Sequence, residues 1–318
     1  MYHIIINPAS RSGNGKKIWK EVIKPTLNEQ NVPYQAYFSE KAGDVAKLAR
    51  NIAFEHAPKS DVDGEYCKII VLGGDGTVNE TLQGIPVGAK VEIGYIPTGS
   101  SNDLARDLGI SKDPLKALDT ILTAHEHPET SIIKMDRGIV KAGEKNLSFA
   151  VSCGLGFDAA VCAEANNSKI KKTLNKLKLG KLTYLGIALK QLFAAKKVAC
   201  DLYLDDAEPI HIKKYLFAAS MIHRYEGGGF NFCPTADYTD GTFDLCVVGN
   251  LPKLVILLAL PTAFFGKHYW FPGVNHYRAK KVRIETSSLL WMHTDGEAHK
   301  KCNSLEISCI QEDIRFIR

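Results

Sequence analysis

A glycine-rich stretch with a central aspartate is the part of this chain best suited to phosphate chemistry. Gly73-Gly-Asp-Gly-Thr77 follows the apolar run Ile69–Leu72 and precedes a segment with helical spacing. A strand, a glycine turn and a helix start together bring bare backbone N–H groups towards phosphate oxygens. Asp75 would repel phosphate unless a divalent cation lay between them, so the stretch predicts a nucleotide-phosphate site that uses Mg²⁺. An ordinary strand-to-helix turn is the simpler alternative.

Two further predicted loops carry groups that could contact the same ligand. The loop Asn7–Lys16 offers hydroxyl, backbone and ammonium donors, although it lacks the Walker A spacing. In Pro97–Arg106, Ser100 and Ser101 could cap the following helix. Asp103 falls in the first turn of that helix, where it would either interact with the helix dipole or face the cation of the glycine turn.

Asp-Gly sequences late in the chain could supply a base and a second cation site. His293-Thr-Asp-Gly-Glu297 places two carboxylates around a glycine, and one of them could accept the proton of an attacking alcohol. We favour Glu297 as that base, with Asp295 as the second candidate; a hairpin turn is the alternative, because Asp-Gly is common there. The stretch 237–244 could hold a hard cation through carboxylate and carbonyl oxygens, or form a tight polar turn.

Two segments with different patterns of predicted secondary structure must position these motifs. Residues 1 to about 130 alternate predicted strands and helices, which indicates a mostly parallel sheet with ligands at the carboxyl ends of its strands. A helix is predicted over Gly15–Leu27, with Pro25 disturbing its end. Beyond about residue 131, strands and turns indicate an antiparallel sandwich or barrel with helices near residues 158–195. The predicted strands there include Val198–Leu204, Ile210–Met221 and Phe243–Val248.

Composition limits the classes of protein that this chain can be. Its 318 residues allow one large or two ordinary domains, and the net charge of +5 does not predict nucleic-acid binding. The longest apolar stretch, Leu254 to Phe265, is broken by Pro261 and falls short of the roughly twenty residues that span a bilayer. The first residues lack a signal-peptide pattern. The eight cysteines form no CxxC pair, so we expect reduced, structural thiols in a cytosolic protein.

One stretch of the second segment is strongly basic. From Lys169 to Lys197 there are nine lysines and no acidic residue, interleaved with apolar side chains. A basic amphipathic helix of this kind can lie on an anionic membrane surface. The alternative is a solvated lysine face over a packed helix.

Read in order, the motifs resemble those of the diacylglycerol kinase catalytic-domain family, especially its soluble bacterial members. The matching stretches cover almost the whole chain: Gly73–Glu80, Pro97–Arg106, Gly227–Phe230, Pro234–Asp244 and His293–Glu297. The resemblance implies an α/β N-terminal domain with a parallel, doubly wound sheet of the phosphofructokinase and NAD-kinase type, formed by residues 1–134 plus about 305–318. It implies a mainly antiparallel β-sandwich with helical insertions for residues 135–304.

The resemblance also implies ATP and Mg²⁺ as cofactors and suggests the residues that bind them. The expected nucleotide contacts are Asn7, Pro8, Ser10, Ser12, Lys16, Ser39, Gly73, Gly74, Asp75, Gly76, Thr77, Asn79, Thr98 and Asn102. Catalytic Mg²⁺ would be held by Asp75 and Asp103, and a structural Mg²⁺ by Asp237, Asp240 and Thr242. Asp136 would join the same polar network, although Arg137 stands where leucine is common.

The sequence therefore predicts an ATP-dependent lipid kinase, with diacylglycerol as the acceptor and phosphatidic acid as the product. We expect a cytoplasmic protein that associates peripherally with membranes, takes a membrane lipid as substrate and binds no nucleic acid; a homodimer is compatible with this reading. One alternative is a kinase of a small soluble acceptor such as NAD, against which Pro97–Arg106 and Gly227–Asp244 argue. Another is a catalytically silent lipid- or nucleotide-binding protein, against which the retained acidic residues argue.

Overall fold

The computed structural model describes residues 1–58, 66–143, 145–167 and 180–318. The chain divides into two compact units. The first contains residues 1–137 and 311–318, and the second contains residues 138–310. Two strands, β5 (Ile132–Ala142) and β17 (Cys302–Ile317), therefore contribute to both units.

The first unit alternates strands and helices, as predicted. Its remaining elements are β1 (Tyr2–Ile6), α1 (Ser10–Ile18), a π-helical turn (Trp19–Ile23), α2 (Lys24–Glu29), β2 (Tyr34–Phe38), α3 (Asp44–His56), β3 (Cys67–Gly73), α4 (Asp75–Gly84), β4 (Val91–Pro97), α5 (Asp103–Asp107), α6 (Pro114–Thr123) and α7 (Pro128–Ser131). Strand β3 is almost continuously apolar and buried, which is typical of a parallel strand covered on both faces. Helix α6 begins with Pro114, and the Asp113 carboxylate accepts the Leu115 N–H at 3.0 Å.

The sheet of the first unit is parallel, with the order β2-β1-β3-β4 followed by the end of β17. Side chains of α2 and α6, among them Leu27 and Leu118, share a buried cluster with Ile70 of β3. Helices α3 and α4 pack together, and Gly84 permits this because a Cβ there would lie 2.2 Å from the Ala46 carbonyl oxygen. The parallel, helix-covered sheet places the carboxyl ends of its strands along one edge, where the predicted phosphate loops lie.

Two local predictions for the first unit were wrong, and a third was confirmed. The loop after β1 is shorter than expected, because α1 already begins at Ser10. The helical run that contains Pro25 changes from α-helix to a π-helical turn at Trp19–Ile23, directly before Lys24 and Pro25, so the regular helix is disturbed near Pro25 as predicted. Asn102, rather than either preceding serine, occupies the N-cap position of α5.

The second unit is built mainly from strands. Its elements are β6 (Lys145–Phe149), β7 (Ser152–Gly156), α8 (Phe157–Asn167), α9 (Gly180–Ala194), β8 (Val198–Leu204), β9 (Ile210–Met221), β10 (Tyr225–Glu226), β11 (Phe230–Asn231), β12 (Phe243–Gly249), α10 (Lys253–Ala263), a 3₁₀ turn (His268–Trp270), β13 (Val274–Ala279), β14 (Lys281–Leu290), β15 (Met292–Thr294) and β16 (Glu297–Ala298). The predicted bounds of β8 and β9 match the structure.

Antiparallel pairing joins the strands of the second unit. Strand β9 pairs with β7, β8 and β12, and β14 pairs with β8 and with residues 302–308 of β17. Leu202, Leu245 and Ile284 share its main buried cluster. Because residues 304–308 pair with β14, β17 joins the parallel sheet only near its end, at Arg315–Ile317, rather than from the expected residue 305.

All eight cysteines lie in the described part of the chain, where none forms a disulfide, and six of them are buried. In the part of the chain that the structure describes, no helix combines the length and apolar character needed to cross a membrane.

Candidate functional site

The glycine turn of the first unit ends β3 and begins α4. Gly73 is the last residue of the strand, Gly74 is the N-cap, and Asp75 and Gly76 start the helix. The Thr77 hydroxyl accepts the Gly74 N–H at 3.3 Å. A Cβ on Gly73 would lie 2.3 Å from Thr77 Oγ1, so this threonine already excludes a side chain at position 73, whether or not a ligand is bound.

The glycine turn packs against the loop after β4, backbone against backbone. The Thr98 N–H donates to the Gly73 carbonyl at 2.6 Å. A Cβ on Gly99 would lie 2.7 Å from Gly74 Cα, and a Cβ on Gly74 would lie 3.1 Å from Gly99 Cα. These two glycines are needed for the mutual approach of the loops, in addition to any approach of a ligand.

Asn102 holds the second loop closed. It adopts a left-handed φ of 52°, which asparagine tolerates better than most residues. Its side-chain oxygen accepts the Gly99 N–H at 3.0 Å, and its side-chain nitrogen donates to the Gly99 carbonyl at 3.1 Å. The Tyr95 hydroxyl donates to the same side-chain oxygen at 3.2 Å. The amide of Asn102, predicted to contact nucleotide, is thus occupied in shaping the loop.

Tyr95 was missed by the sequence reading and links this loop to the acidic residues. It is buried, and its hydroxyl donates to Asp75 Oδ1 at 3.4 Å. Burial, with the Asp75 and Asp103 carboxylates nearby, raises the pKa of Tyr95 far above its usual range, so the hydroxyl stays a donor. A tyrosine within the apolar run Ile93–Ile96 is a signal for this role, because a buried hydroxyl needs a partner.

Asp75 and Asp103 come together as predicted, through a backbone contact. Asp75 Oδ2 accepts the Asp103 N–H at 2.9 Å, at the start of α5. The Asp103 carboxylate is buried and pairs with Arg106 Nη1 at 3.0 Å. The structure therefore gathers two carboxylates and one guanidinium at the carboxyl edge of the sheet.

Hydroxyl and amide side chains connect the ends of the parallel strands. Asn7 Nδ2 donates to Thr77 Oγ1 at 3.1 Å, and the Ser10 and Thr98 hydroxyls share a hydrogen bond of 2.7 Å. The Ser39 N–H donates to the Ile6 carbonyl at 3.0 Å, at the end of β2. The predicted residues after β1, β2, β3 and β4 thus lie along one edge and form a polar rim.

Helix α1 forms the remaining border of this rim. Gly15 is tightly packed, since a Cβ there would lie 2.3 Å from the Asn7 carbonyl oxygen. Arg11 adopts a left-handed φ of 46°, a conformation that costs a non-glycine residue about 1 kcal/mol. An open hollow of about 490 Å³ adjoins Arg11, Gly13, Asn14 and Lys17. Sequence reasoning had singled out Lys16 instead of Arg11 and Lys17.

The other predicted nucleotide contacts occupy varied positions. Lys16 is exposed, and its N–H donates to the Pro8 carbonyl at 3.3 Å. Asn79 is buried within α4. Ser12 lies in α1, but its side chain is outside the described part of the structure.

Asp136 and Arg137 of β5 contact residues near the end of the chain. Asp136 is fully buried and accepts the Glu312 N–H at 2.9 Å. Arg137 Nε lies 2.9 Å from Asp313 Oδ2, and Arg137 Nη1 donates to the Ile85 carbonyl at 2.9 Å. Burial lowers the pKa of Arg137, and Asp313 opposes that shift. The buried Arg137 guanidinium therefore has a carboxylate partner within its own unit.

In the second unit, the Asp295-Gly296 pair forms a two-residue hairpin between β15 and β16. Both residues have positive φ, 49° and 79°, as a type I′ turn requires. The Asp295 carboxylate accepts the N–H groups of Ala150, Val151 and Ser152 at 3.0, 2.7 and 2.9 Å. Glu297, in contrast, is exposed. The stretch thus forms a hairpin turn in which Asp295 binds three backbone N–H groups, and the role of Glu297 or Asp295 as the base stays a prediction.

A buried ionic group supports this hairpin. His293 Nε2 lies 3.0 Å from Asp158 Oδ2, and its Nδ1 lies 3.4 Å from Glu226 Oε1. Burial lowers the pKa of His293, but Glu226 and Asp158 outweigh it and raise the pKa to about 9. Burial raises the pKa of Glu226 to about 7. Position 154 must be glycine, since a Cβ there would lie 1.9 Å from Asp158 Oδ2.

The predicted structural metal loop is a polar turn. Asp237 Oδ1 accepts the N–H of Thr239 at 3.0 Å, and Asp240 Oδ1 accepts the N–H and hydroxyl of Thr242 at 2.9 and 2.7 Å. Arg278 lies 3.5 Å from Asp240 Oδ2, so a cationic side chain already faces this carboxylate. The turn alternative is confirmed, and the Mg²⁺ role of Asp237, Asp240 and Thr242 stays a prediction.

Asp75 and Asp103 suit Mg²⁺ by donor type. Mg²⁺ in phosphotransfer sites is commonly held by one or two carboxylates together with phosphate oxygens and waters. Asp75 and Asp103 supply two such carboxylates, since Asp75 Oδ2 accepts the backbone N–H of Asp103 and the two residues are therefore neighbours. Within the described ranges, no group of three or more His, Cys, Asp or Glu side chains forms a metal cage, and Mg²⁺ bound with nucleotide needs none.

The lysine-rich segment is only partly described. Residues 168–179, which carry most of its lysines, lie outside the described residues. Within the described part, Lys190 of α9 forms an ion pair with Glu164 of α8. An acidic partner from outside the segment thus compensates at least this lysine.

Comparison with known proteins identifies relatives for both units. Residues 1–135 match the family model of the diacylglycerol kinase catalytic domain, and residues 151–315 match that of the YegS C-terminal NAD kinase beta sandwich-like domain. A diacylglycerol kinase of Mycobacterium tuberculosis is 30% identical over 231 residues, which are 72% of this chain and 70% of that protein.

Solved structures share the same architecture. A diacylglycerol kinase from Bacillus anthracis str. Sterne superposes with a TM-score of 0.71 at 23% identity, covering 99% of this chain and 96% of that one. An NAD kinase from Archaeoglobus fulgidus in complex with ATP superposes with a TM-score of 0.50 at 12% identity, covering 100% and 94%. The predicted fold class, a parallel α/β domain with an antiparallel β-sandwich, is confirmed.

Proposed function

We propose that this protein transfers the γ-phosphate of ATP to the hydroxyl of diacylglycerol. The chain belongs to the diacylglycerol kinase catalytic-domain family and is therefore a lipid kinase. The products would be phosphatidic acid and ADP. Family membership supports the lipid kinase class, and the site geometry supports the nucleotide and the roles of individual residues.

The polar rim at the carboxyl edge of the first unit is the observation that carries the proposal for ATP. Asn7, Ser10, Thr77 and Thr98 place hydroxyl and amide groups beside the two packed glycine turns. Parallel α/β sheets bind ligands at this edge, and phosphates suit backbone N–H groups at helix starts. The hollow beside Arg11 and Lys17 adds cationic groups for phosphate oxygens.

Asp75 and Asp103 would hold Mg²⁺ in this site. When bound, the ion would neutralise charge on the phosphates of ATP. Arg106 already offsets part of the negative charge of Asp103, which reduces repulsion between the two carboxylates before a cation arrives. Tyr95 and Asn102 would act indirectly, by keeping the loop that carries Asp103 in shape.

Glu297 would accept the proton of the acceptor hydroxyl. The hydroxyl oxygen forms a bond to the γ-phosphorus, the bond from that phosphorus to the bridging oxygen breaks, and ADP leaves. Of the two candidate bases, Asp295 already receives three backbone N–H groups, whereas Glu297 is exposed at the end of the same turn. We therefore assign Asp295 to positioning the turn and Glu297 to proton transfer.

Membrane association fits this substrate, since diacylglycerol resides in bilayers. Binding through Lys169–Lys197, peripheral attachment in the cytoplasm and a homodimer stay predictions. A second candidate function is phosphorylation of NAD, which the fold likeness to an NAD kinase favours.

A kinase assay with labelled ATP separates these functions. We expect label to appear in phosphatidic acid when diacylglycerol is supplied in mixed micelles, and no label on NAD. Label on NAD alone would reject the lipid proposal, and no label on either acceptor would favour a silent binding protein. Asp75→Asn should abolish transfer and lower the thermal unfolding midpoint by only roughly 2–4 °C, because the amide oxygen can still accept the Asp103 N–H.

A further inference from the structure

Helix α10 and the turn that follows it carry several large apolar side chains that are mostly exposed. Leu254 and Leu258, one helical turn apart, are 68% and 67% exposed, and Phe265 and Trp270 beyond the helix are 76% and 73% exposed. We call these side chains the α10 face. Single exposed apolar residues are ordinary, but a group of this size marks an interaction surface.

The helical part of the α10 face lies on the part of the helix surface that does not pack against the core of its own unit. Ile256, Ala259 and Ala263 point the other way and are buried, and Ile256 packs in a cluster with Phe217 and Val248. A helix that is apolar on every side is normally buried on every side or lies in a membrane. The core accounts for one side of α10, and on the other side Leu254 and Leu258 stay mostly exposed.

The surroundings of the α10 face are cationic. Residues 245–284 contain no aspartate or glutamate. Lys253 donates to the Phe193 carbonyl and Lys197 to the Leu251 carbonyl, so the end of the lysine-rich segment adjoins the start of α10.

The charges near α10 are crowded. Lys267 Nζ lies 5.1 Å from the centre of the Trp270 ring. Burial, followed by the neighbouring Lys214 and Lys253 ammonium groups, lowers the pKa of Lys197. The Lys214 and Lys253 ammonium groups therefore disfavour the charged form of Lys197, whereas an anionic surface would favour it.

We propose that the α10 face docks this protein on anionic bilayers, with Leu258, Phe265 and Trp270 entering the boundary between headgroups and acyl chains. This inference rests on the proposed lipid kinase function, which requires access to a bilayer. A two-fold dimer through the same face would set identical lysines against each other, whereas anionic lipid attracts them. Aromatic rings flanked by lysines are the usual composition of such membrane-surface elements.

Sedimentation with vesicles tests the proposal directly. We expect the full chain to bind phosphatidylglycerol vesicles and to bind phosphatidylcholine vesicles weakly. The double variant F265A/W270A should lose at least about tenfold in partitioning, equivalent to about 1.4 kcal/mol. Leu289→Ala is the matched control, because Leu289 is 61% exposed in the same unit but lies on β14. Equal binding by parent and double variant would overturn the proposal.

Two further measurements separate the proposal from its rivals. Brominated lipids should quench the emission of Trp270, identified by subtracting the Trp270→Phe variant; quenching that survives in this variant would count against insertion. If F265A/W270A abolishes self-association in sedimentation equilibrium and leaves vesicle binding unchanged, the face is an interface between copies. A water-soluble short-chain diacylglycerol reports the kinase function independently: the double variant should phosphorylate it normally. Failure of the parent protein with this acceptor would reject the function, whereas loss confined to the variant would reject the docking role.

Discussion

Conversion of Asp295 and of Glu297 to their amides should give opposite results, although only one residue separates them. Asp295 receives the backbone N–H groups of Ala150, Val151 and Ser152, and Glu297 is exposed. We expect Asp295→Asn to weaken the folded second unit. We expect Glu297→Gln to stop phosphoryl transfer in a protein that remains as stable as its parent.

The stability change follows from the hydrogen bonds of Asp295. A bond to a charged acceptor contributes roughly 1.5–3 kcal/mol, and a neutral one about 1 kcal/mol, so three bonds lose about 1 kcal/mol each. The amide nitrogen of the variant would also face a backbone N–H and leave it unpaired, at a cost on the order of 1–3 kcal/mol. Because such terms are not fully additive, we expect a total near 4 kcal/mol.

Thermal unfolding and kinase turnover are the two measurements. For a unit of this size each kcal/mol shifts the midpoint by roughly 2–4 °C, so Asp295→Asn should unfold about 10 °C lower. An exposed change such as Glu297→Gln should alter stability by less than about 0.5 kcal/mol. Removal of a general base lowers the rate by about 10²–10⁴, so kcat of Glu297→Gln should fall by that factor while the KM for ATP is unchanged.

The stability change of Asp295→Asn and the activity loss of Glu297→Gln can each be contradicted separately. An unfolding midpoint of Asp295→Asn within about 2 °C of the parent, less than 1 kcal/mol of change, would show that the three N–H contacts do not hold the turn. Near-normal turnover by Glu297→Gln would reject its role as the base. A stable Asp295→Asn protein without turnover would exchange the two assignments.

Three other expectations rest on packing and charge. Gly99→Ala should raise the KM for ATP more than Gly74→Ala, since only the Cβ at 99 would come within 3.0 Å of the facing backbone; equal effects would contradict the loop contact. Because the pKa of His293 is raised in the folded protein, protonated His293 should stabilise the fold by up to about 3 kcal/mol. This stabilisation is complete below pH 6.5 and is lost as the pH rises through about 9. The free energy of unfolding measured against pH should show this loss, and His293→Gln should abolish it. Arg137→Leu should cost about 3–5 kcal/mol by leaving the Asp313 carboxylate buried without its partner, and adding Asp313→Asn should recover part of the midpoint loss.

Local patterns were sufficient for most of the fold. The alternation of apolar runs and helical spacing predicted the parallel unit, and the bounds predicted for β8 and β9 match the structure. The errors concern segments whose state depends on distant contacts. Residues 10–16 look like a polar loop, yet they form α1, and Gly15 packs on the Asn7 carbonyl there.

Only part of the candidate site could be predicted from the sequence, again because some of its contacts join distant segments. Asp75 and Asp103 could be paired from the sequence because parallel strands end at one edge. Tyr95 and the ionic group of His293, Asp158 and Glu226 could not, because their partners are set by how separate strands and loops fold together.

The sequence by itself determined the chemistry that this protein has available: glycine turns after strands, paired carboxylates, and an apolar helix among lysines. These features are local, so spacing and residue type suffice to identify them. Only the tertiary structure decided how each group is used. In the folded chain, Asp295 accepts N–H groups more than 140 positions away, and Glu297 is exposed. One side of α10 is buried, whereas Leu254 and Leu258 are exposed. Burial and hydrogen-bond partners are properties of the folded chain, so residue type and spacing alone do not specify them.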